Sequence, residues 1–323
     1  MFKGKVILIT GGTGSLGNEL VSQLLPMHPH KIIIYSRRDH DQRVMMDKFN
    51  SPLLRFITGD IRNIDRLQLA MKGVDLVLHT AALKHVDLSE YNSFEYKEVI
   101  VDGGQNVIQA CIDNDVERCV ALSTDKSYAP VSVYGASKML SDRLFMAANK
   151  FSVTKFSVIR YGNVINSNGS ITKNLSSNPM INITDPRMTR FWITLKYAAR
   201  LTIHLLKYSN KGELLIPKIP ASNVLDFLKC VNPDYTDINV VGIRLGEKLN
   251  ESMFGREDCI NMLEFENYYV MYSKLPDVHE RAFAGEVGQQ FVPFEYSSDN
   301  MDWRLDSTGI NKLLEGKFKW QNL

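Results

Sequence analysis

Tyr134 and Lys138 stand four residues apart within the stretch from Ala121 to Arg143, ALSTDKSYAPVSVYGASKMLSDR. If Tyr134 opens a helix, the two side chains share one face. An ammonium beside a phenol stabilises the phenolate and so lowers the tyrosine pKa from about 10. A tyrosine placed in this way can take the proton of a sugar or alcohol hydroxyl near neutral pH. Thr124 can hydrogen-bond the same hydroxyl. Hydride transfer requires no more than this, yet Asp125 and Lys126 add a second acid–base pair.

The elements that must position these residues are legible as alternating strands and helices. Lys5 to Thr10 is a short, almost uniformly apolar run, as expected of a strand buried on both faces. Gly11-Gly12-Thr13-Gly14-Ser15-Leu16-Gly17 follows, then a helical pattern through Leu25. Glycines at 11, 14 and 17 allow a tight turn, close approach of a pyrophosphate, and a helix N-terminus facing that anion. Further strands are expected at Lys31 to Tyr35, Leu53 to Ile57, Val74 to Leu78, Arg118 to Leu122 and Val153 to Tyr161. A long helix is expected from Ser93 to Asn114. The fold class is therefore α/β, a Rossmann-type doubly wound parallel sheet, with a smaller C-terminal substrate-binding lobe. Residues 1–165 form the dinucleotide-binding domain, with a return of the chain around 190–230. Residues 166–323 form mainly the substrate lobe, with a strand over Ile238 to Ile243 and a helix opening at Arg244.

Within that frame the second strand ends in Ser36-Arg37-Arg38, where an acid would accept from a ribose 2′-hydroxyl. Arginine suits a 2′-phosphate, so the cofactor expected is NADP. Asp60 can accept from the adenine amino group, and Ile61 can pack on its ring. Thr80-Ala81-Ala82 are small enough for close approach, and Lys84 lies at the C-terminal end of its strand, where open α/β sheets bind ligands.

The totals exclude several classes. A chain of 323 residues with a net charge of +2 makes no electrostatic case for nucleic acid or a membrane surface. No apolar run reaches the roughly 18–20 residues that span a bilayer, and the start of the chain has no signal-peptide pattern. Cys111, Cys119, Cys230 and Cys259 lack zinc-ligand spacing. Reduced thiols, no metal and a cytoplasmic location are expected.

TGGTGSLG, the TDK step, YGASK, RYGNV, MTRFWIT and IRLGEK together resemble the inverting UDP-N-acetylglucosamine 4,6-dehydratases of the extended short-chain dehydrogenase/reductase family. The likeness runs from Lys5 to about Ser298. It implies tightly bound NADP, regenerated at each turnover. The implied cofactor contacts are Thr13 to Leu16, Ser36 to Asp41, Asp60, Ile61, Thr80, Lys84, Tyr134, Lys138, Asn163 and Val164. It implies UDP-sugar contacts at Lys84, Thr124, Tyr134, Asn163, Ile171, Arg244 and Glu247, and homo-oligomers, dimer or hexamer, paired through helices near Ser93 and Tyr134. Lys126 is the implied C5 base and Asp125 the group that assists departure of the C6 hydroxyl; burial is expected to push both pKa values in the required direction, and the charges of Lys84 and Lys138 to push Lys126 further down. The chain departs from the family pattern at Val99-Ile100, where Thr-Asn is usual, at Leu245, where proline is usual, and in a short stretch from Ile171 to Ile183. A 4-epimerase or a retaining dehydratase of the same fold would share Tyr134 and Lys138 but not need a lysine at 126. A non-catalytic NADP-binding protein would need none of the three.

Overall fold

The computed structural model describes residues 1–167, 170, 180–210, 212–233, 235, 237–277, 282–300 and 302–320. The first half alternates strand and helix in the order β1 (Val6–Thr10), α1 (Ser15–Leu24), β2 (Lys31–Ser36), α2 (Asp39–Phe49), β3 (Leu54–Thr58), α3 (Ile64–Met71), β4 (Leu76–His79), α4 (Val86–Tyr91), α5 (Ser93–Lys97), α6 (Gly103–Asp113), β5 (Arg118–Leu122), α7 (Val133–Ala148) and β6 (Lys155–Ile159). Then follow β7 (Asn163–Ile165), β8 (Met180–Ile183), β9 (Thr189–Thr194), α8 (Leu195–Tyr208), β10 (Leu214–Pro217), β11 (Ala221–Asn223), α9 (Val224–Val231), β12 (Asp237–Val240), β13 (Ser252–Phe254), β14 (Met262–Glu264), β15 (Tyr268–Met271) and α10 (Ser307–Leu314).

The main sheet runs β14-β15-β10-β6-β5-β4-β1-β2-β3. It is parallel from β10 to β3, and β15 and β14 are added antiparallel at one edge. This is the doubly wound sheet expected from the sequence. Central strands β1 and β4 are apolar because helices cover both their faces: Ile7, Leu8, Ile9, Leu76, Val77 and Leu78 have no exposed surface. The strand order reverses between β1 and β4, and the carboxyl ends there open a crevice. The chain after residue 166 contributes to both parts of the molecule. β10, β14 and β15 extend the main sheet and α8 packs on α1, whereas β8 and β12 pair as a separate two-stranded sheet at the crevice.

Three expectations are corrected. The helix from Ser93 is not regular. Between α5 and α6 the residues Glu98–Asp102 form a wide π-turn, which turns Val99 and Ile100 into the protein. The strand expected at Ile238 to Ile243 is shorter, because Gly242 takes φ +88°, a left-handed backbone that ends extension. No helix opens at Arg244. Residues 244–247 form a turn closed by Glu247 N donating to Arg244 O at 3.1 Å, with Gly246 at φ +82°. Helix α10 was not legible beforehand. Asp306 caps it by accepting from Gly309 N at 2.8 Å, and Ile310 and Leu313 pack with Trp192 and Phe227.

Candidate active site

The crevice at the β1–β4 switch point has a volume of about 770 Å³. One wall is the glycine turn. Gly11 sits at φ +65°, and a Cβ there would lie 2.7 Å from Ala81 Cα. A Cβ on Gly17 would lie 2.1 Å from Gly12 O. Glycine at these two positions brings the turn against Ala81-Ala82 and seats α1. The N-cap of that helix is Gly14, which offers no side chain to its first-turn amides. Those amides face the crevice, as a dinucleotide pyrophosphate requires, so the residues present fit such a cofactor. Gly11, Gly14, Ser15, Leu16, Gly17, Arg38, Thr80, Ala81, Ala82 and Lys84 all line this side. Thr80 Oγ1 donates to Thr10 O at 2.7 Å and fixes the base of the wall.

Eight of the expected cofactor residues, Thr13, Ser36, Arg37, Asp39, His40, Asp41, Asp60 and Ile61, do not line it. Thr13 O accepts from Asn18 Nδ2 at 3.0 Å within the turn. Ser36 is buried, and its hydroxyl accepts from Gln42 Nε2 at 3.0 Å. Gln42, unnoticed in the sequence, also donates to Ile57 O at 3.0 Å and so ties α2 to the ends of β2 and β3. Arg37 reaches to 4.0 Å from Asp60 Oδ2. Asp60 itself is engaged by Arg62, at 2.7 Å from Nη2 and 3.2 Å from Nε, rather than left open for adenine. Burial works against its charge, but the Arg62 bonds outweigh burial and hold its carboxyl below the usual range. Ile61 is core: its Cδ1 lies 2.7 Å from where a Cβ on Gly103 would stand.

The chemical end of the crevice is built from β5, α7 and β7. Beyond β5, Asp125 N donates to Tyr161 O at 3.1 Å and Thr124 Oγ1 accepts from Lys126 N at 3.4 Å, which sets one 3₁₀ turn over Asp125–Ser127. Helix α7 starts at the cap Ser132, whose hydroxyl accepts from Gly135 N at 3.1 Å. Tyr134 and Lys138 therefore project from its first turns, both largely buried and both lining the crevice with Thr124, Lys126, Asn163 and Val164. The ring of Tyr134 meets Tyr96 edge-on at 6.3 Å, and Ile100 from the π-turn packs in the same cluster. Ile100 thus backs the site, Val99 packs in the main core, and neither lines the crevice.

The ionisation differs from the expectation. Burial pushes the Tyr134 phenol up to about 12, against the pull of Lys126 and of the neighbouring Thr124 hydroxyl. Lys138 does not supply that pull: its ammonium donates to Leu122 O, and burial lowers its own pKa. Lys126 is likewise not poised as a free amine. Its Nζ lies 3.0 Å from Asp125 Oδ1, 3.1 Å from Glu251 Oε1 and 3.3 Å from Asn163 Oδ1. Burial lowers its pKa, but the two carboxylates outweigh burial and hold it above the ordinary lysine value. Lys84 and Lys138 are not the charges that act on it; Arg190 opposes the ammonium, and Lys248 and Lys126 repel each other. Asp125 has no exposed surface and does not line the crevice. It reaches that space through Lys126 and through Thr124 Oγ1, which donates to Asp125 Oδ1 at 3.0 Å.

Glu251, Arg190 and Lys248 complete the cluster and were not singled out in the sequence. Arg190 Nη1 donates to Leu249 O at 3.0 Å and Nη2 to Lys248 O at 3.0 Å, so β9 holds the chain that carries Glu251. Glu251 N donates to Ser298 Oγ at 3.0 Å, and Glu251 O accepts from Ser298 N at 2.8 Å. No local pattern marks an acid 125 residues from Lys126. On the far side, Arg244 and Glu247 line the crevice mouth, where Glu247 Oε2 accepts from Arg244 N at 3.0 Å. Leu245 points to solvent there. Ile171 lies outside the described residues. Among the described residues no cluster of His, Cys, Asp or Glu has metal-holding geometry, and no helix is long and apolar enough to cross a membrane.

A phenol and a lysine on the first turns of one helix, facing a glycine turn across the switch point of a Rossmann sheet, define an extended short-chain dehydrogenase/reductase fold. Residues 7–273 match the polysaccharide biosynthesis protein family, and the chain belongs to it. It is similar to the UDP-N-acetylglucosamine 4,6-dehydratase (inverting) of Campylobacter jejuni, 44% identical over 315 residues that cover 93% of this chain and 94% of that one. The resemblance read from TGGTGSLG, TDK and YGASK is borne out. A UDP-glucose 4-epimerase of Rickettsia bellii is 34% identical over 329 residues, 97% of this chain and 96% of its own. The solved structure of Pen from Bacillus thuringiensis superposes with a TM-score of 0.90 at 31% identity, over 98% of both chains.

Proposed function

We propose that this protein catalyses the NADP-dependent 4,6-dehydration of UDP-N-acetylglucosamine with inversion at C5, giving a UDP-4-keto-6-deoxy-L-arabino-hexosamine. The observation that carries this reading is the Asp125–Lys126 pair beside Tyr134, 3.0 Å apart at the crevice. Likeness to the Campylobacter enzyme supports the choice of sugar.

Tyr134 rests as the phenol. Once ionised it takes the proton of the C4 hydroxyl, which Thr124 helps to orient, and a cationic nicotinamide bound beside it would favour that ionisation. A bound dinucleotide, held by the glycine turn and the wall at 80–84, would supply hydride exchange between C4 and C6, so that no external reductant is consumed. The ketone so formed at C4 acidifies the C5 proton. Lys126 faces the crevice and Asp125 does not, so Lys126 is the C5 base. The resting ammonium becomes an amine by passing one proton across the short hydrogen bond to Asp125. Substrate that excludes water from this buried pair favours the neutral form, because two charges are then no longer desolvated. Asp125 next holds the proton that the C6 hydroxyl needs and delivers it through Thr124 Oγ1. After elimination Lys126 holds the C5 proton, Asp125 is ionised and one water has left the sugar. As hydride reaches C6 a proton returns to C5 on the opposite face, and the proton that Tyr134 took from the C4 hydroxyl closes the count. Assistance to the leaving group is thus indirect.

Arg38 at the crevice supports NADP over NAD, since its guanidinium can face a 2′-phosphate. Arg244 and Glu247 suit the diphosphate and the ribose or uracil groups of UDP. The chain from 166 to 323 is the part that covers the sugar. Tyr91 and Phe94, both more than four-fifths exposed on α4 and α5, support pairing of copies through those helices, in a cytoplasmic homo-oligomer. The Rickettsia relative favours a second reading, UDP-sugar 4-epimerase, which has no use for a base at C5. Incubation with UDP-N-acetylglucosamine and with UDP-glucose, followed by mass spectrometry and proton NMR, separates them. Loss of one water with an inverted C5 is expected. Product of unchanged mass would replace dehydration by epimerisation, and a retained C5 would make the enzyme a retaining dehydratase.

A further inference from the structure

We propose that Glu251 is a positioning residue that holds Lys126 in aim and sets the pH at which Lys126 becomes a base. The inference rests on the reading of Lys126 as C5 base. It starts from an account of protons and lone pairs around one nitrogen. A lysine ammonium has three N–H donors and no acceptor. Lys126 Nζ has three acceptors in reach, Asp125 Oδ1, Glu251 Oε1 and Asn163 Oδ1. When the proton directed at Asp125 crosses to that carboxylate, the amine keeps two N–H bonds, one to Glu251 and one to Asn163. Rotation about Cε–Nζ then keeps one N–H on Glu251 and turns the lone pair from Asp125 to the crevice side, where Asn163 lies, so Glu251 grips the nitrogen in both of its states while Asp125 exchanges the proton.

Glu251 is built to stay in place. Its side chain is 2% exposed, and its backbone is bonded in both directions to Ser298. Its second oxygen, Oε2, is buried without a hydrogen-bond partner, and Lys248 Nζ stands 3.9 Å from it. An unbonded buried carboxylate oxygen is costly, and packing alone gives no reason to accept it. The charged and titratable groups facing Lys126 are Asp125 beside it, Tyr134 on α7, Arg190 on β9, and Glu251 with Lys248 on the segment before β13. Of these, Asp125 and Glu251 favour the ammonium and Arg190 and Lys248 oppose it. Removal of the Glu251 charge leaves one carboxylate against two cations, so the neutral amine forms at lower pH.

The test uses full-length protein with its dinucleotide bound, carrying lysine labelled with carbon-13 at Cε, and the Lys126 signal assigned by its loss in Lys126→Met. In Glu251→Gln the Lys126 signal is expected to titrate about one pH unit or more lower than in the wild type. In Glu251→Asp the shift is intermediate, because the charge remains but its reach is shorter. The limb of solvent-deuterium uptake at C5 that reports the base moves the same way, with KM for the UDP-sugar within about threefold and kcat lowered. A structural role would lower thermal stability and leave the titration where it was. An unchanged Lys126 titration in folded Glu251→Gln, or in Glu251→Asp should the glutamine variant not fold, overturns the proposal. A shifted titration in a wild-type protein that exchanges no proton at C5 supports Glu251's hold on Lys126 and sinks the dehydratase reading instead.

Discussion

Thr124 Oγ1 donates to Asp125 Oδ1 at 3.0 Å, so a carboxylate with no surface of its own reaches the crevice through its neighbour's hydroxyl. The hydroxyl is small, and it is placed by the same 3₁₀ turn that aims Lys126. Thr124→Val keeps the shape and removes the bond. Turnover should fall by about 10²–10³, and Thr124→Ser should recover most of it. The readout is the balance between nicotinamide absorbance, which reports C4 oxidation, and water loss by mass. A valine variant that dehydrates at the wild-type rate would remove Thr124 from the relay.

Lys126→Met fills a similar volume and removes the base. Solvent-deuterium uptake at C5 should vanish, while oxidation at C4 persists. Uptake at the wild-type rate in that variant would exclude Lys126 as the base.

His79 predicts an acid limit to stability. It is fully buried at the end of β4, with Nδ1 2.8 Å from Thr10 Oγ1, and burial pushes its pKa down to about 3, with Lys138 adding to the shift. A folded-state pKa below the unfolded value means that the unfolded chain takes up the proton first. The neutral ring thus contributes stability above about pH 6.5, and that contribution is lost as pH falls toward about 3. Over that window the loss is on the order of a few kcal/mol. Thermal melts of the wild type should fall more steeply between about pH 7 and about pH 4 than those of His79→Gln. Parallel curves would assign the acid limit elsewhere.

Arg38 is four-fifths exposed and pairs with Asp41, yet it borders the crevice beside the glycine turn. Arg38→Ala should weaken NADP(H) by roughly tenfold or more and leave NAD(H) nearly unchanged. Equal losses for both cofactors, measured by fluorescence titration, would place the 2′-phosphate elsewhere.

What the sequence made legible was local. The strand–glycine turn–helix at Lys5 to Leu25, and the four-residue spacing of Tyr134 and Lys138, are short-range patterns with one structural solution each. What it hid was set over distance. The charge on Lys126 depends on Glu251 and Arg190, which reach it only because β9 grips the 248–249 backbone. Asp60 reads as an open acceptor until Arg62, two residues on, is seen to fold back on it. Helical periodicity from Ser93 to Asn114 conceals the π-turn, because one added residue shifts the apolar face without erasing it. The Arg244 segment begins with a helix-like composition, but Gly242 and Gly246 impose left-handed backbone on it.

The anchoring of Glu251 to Ser298 also has a consequence for the order of events during synthesis. The turn at Gly11, the strands β1 to β6 and the Tyr134–Lys138 pair all lie within the first 159 residues. They emerge from the ribosome well before residue 251, and long before Ser298 closes the last bonds on it. The nascent chain therefore carries its glycine turn and its phenol early, while the grip on Lys126 arrives only once residue 298 has been made.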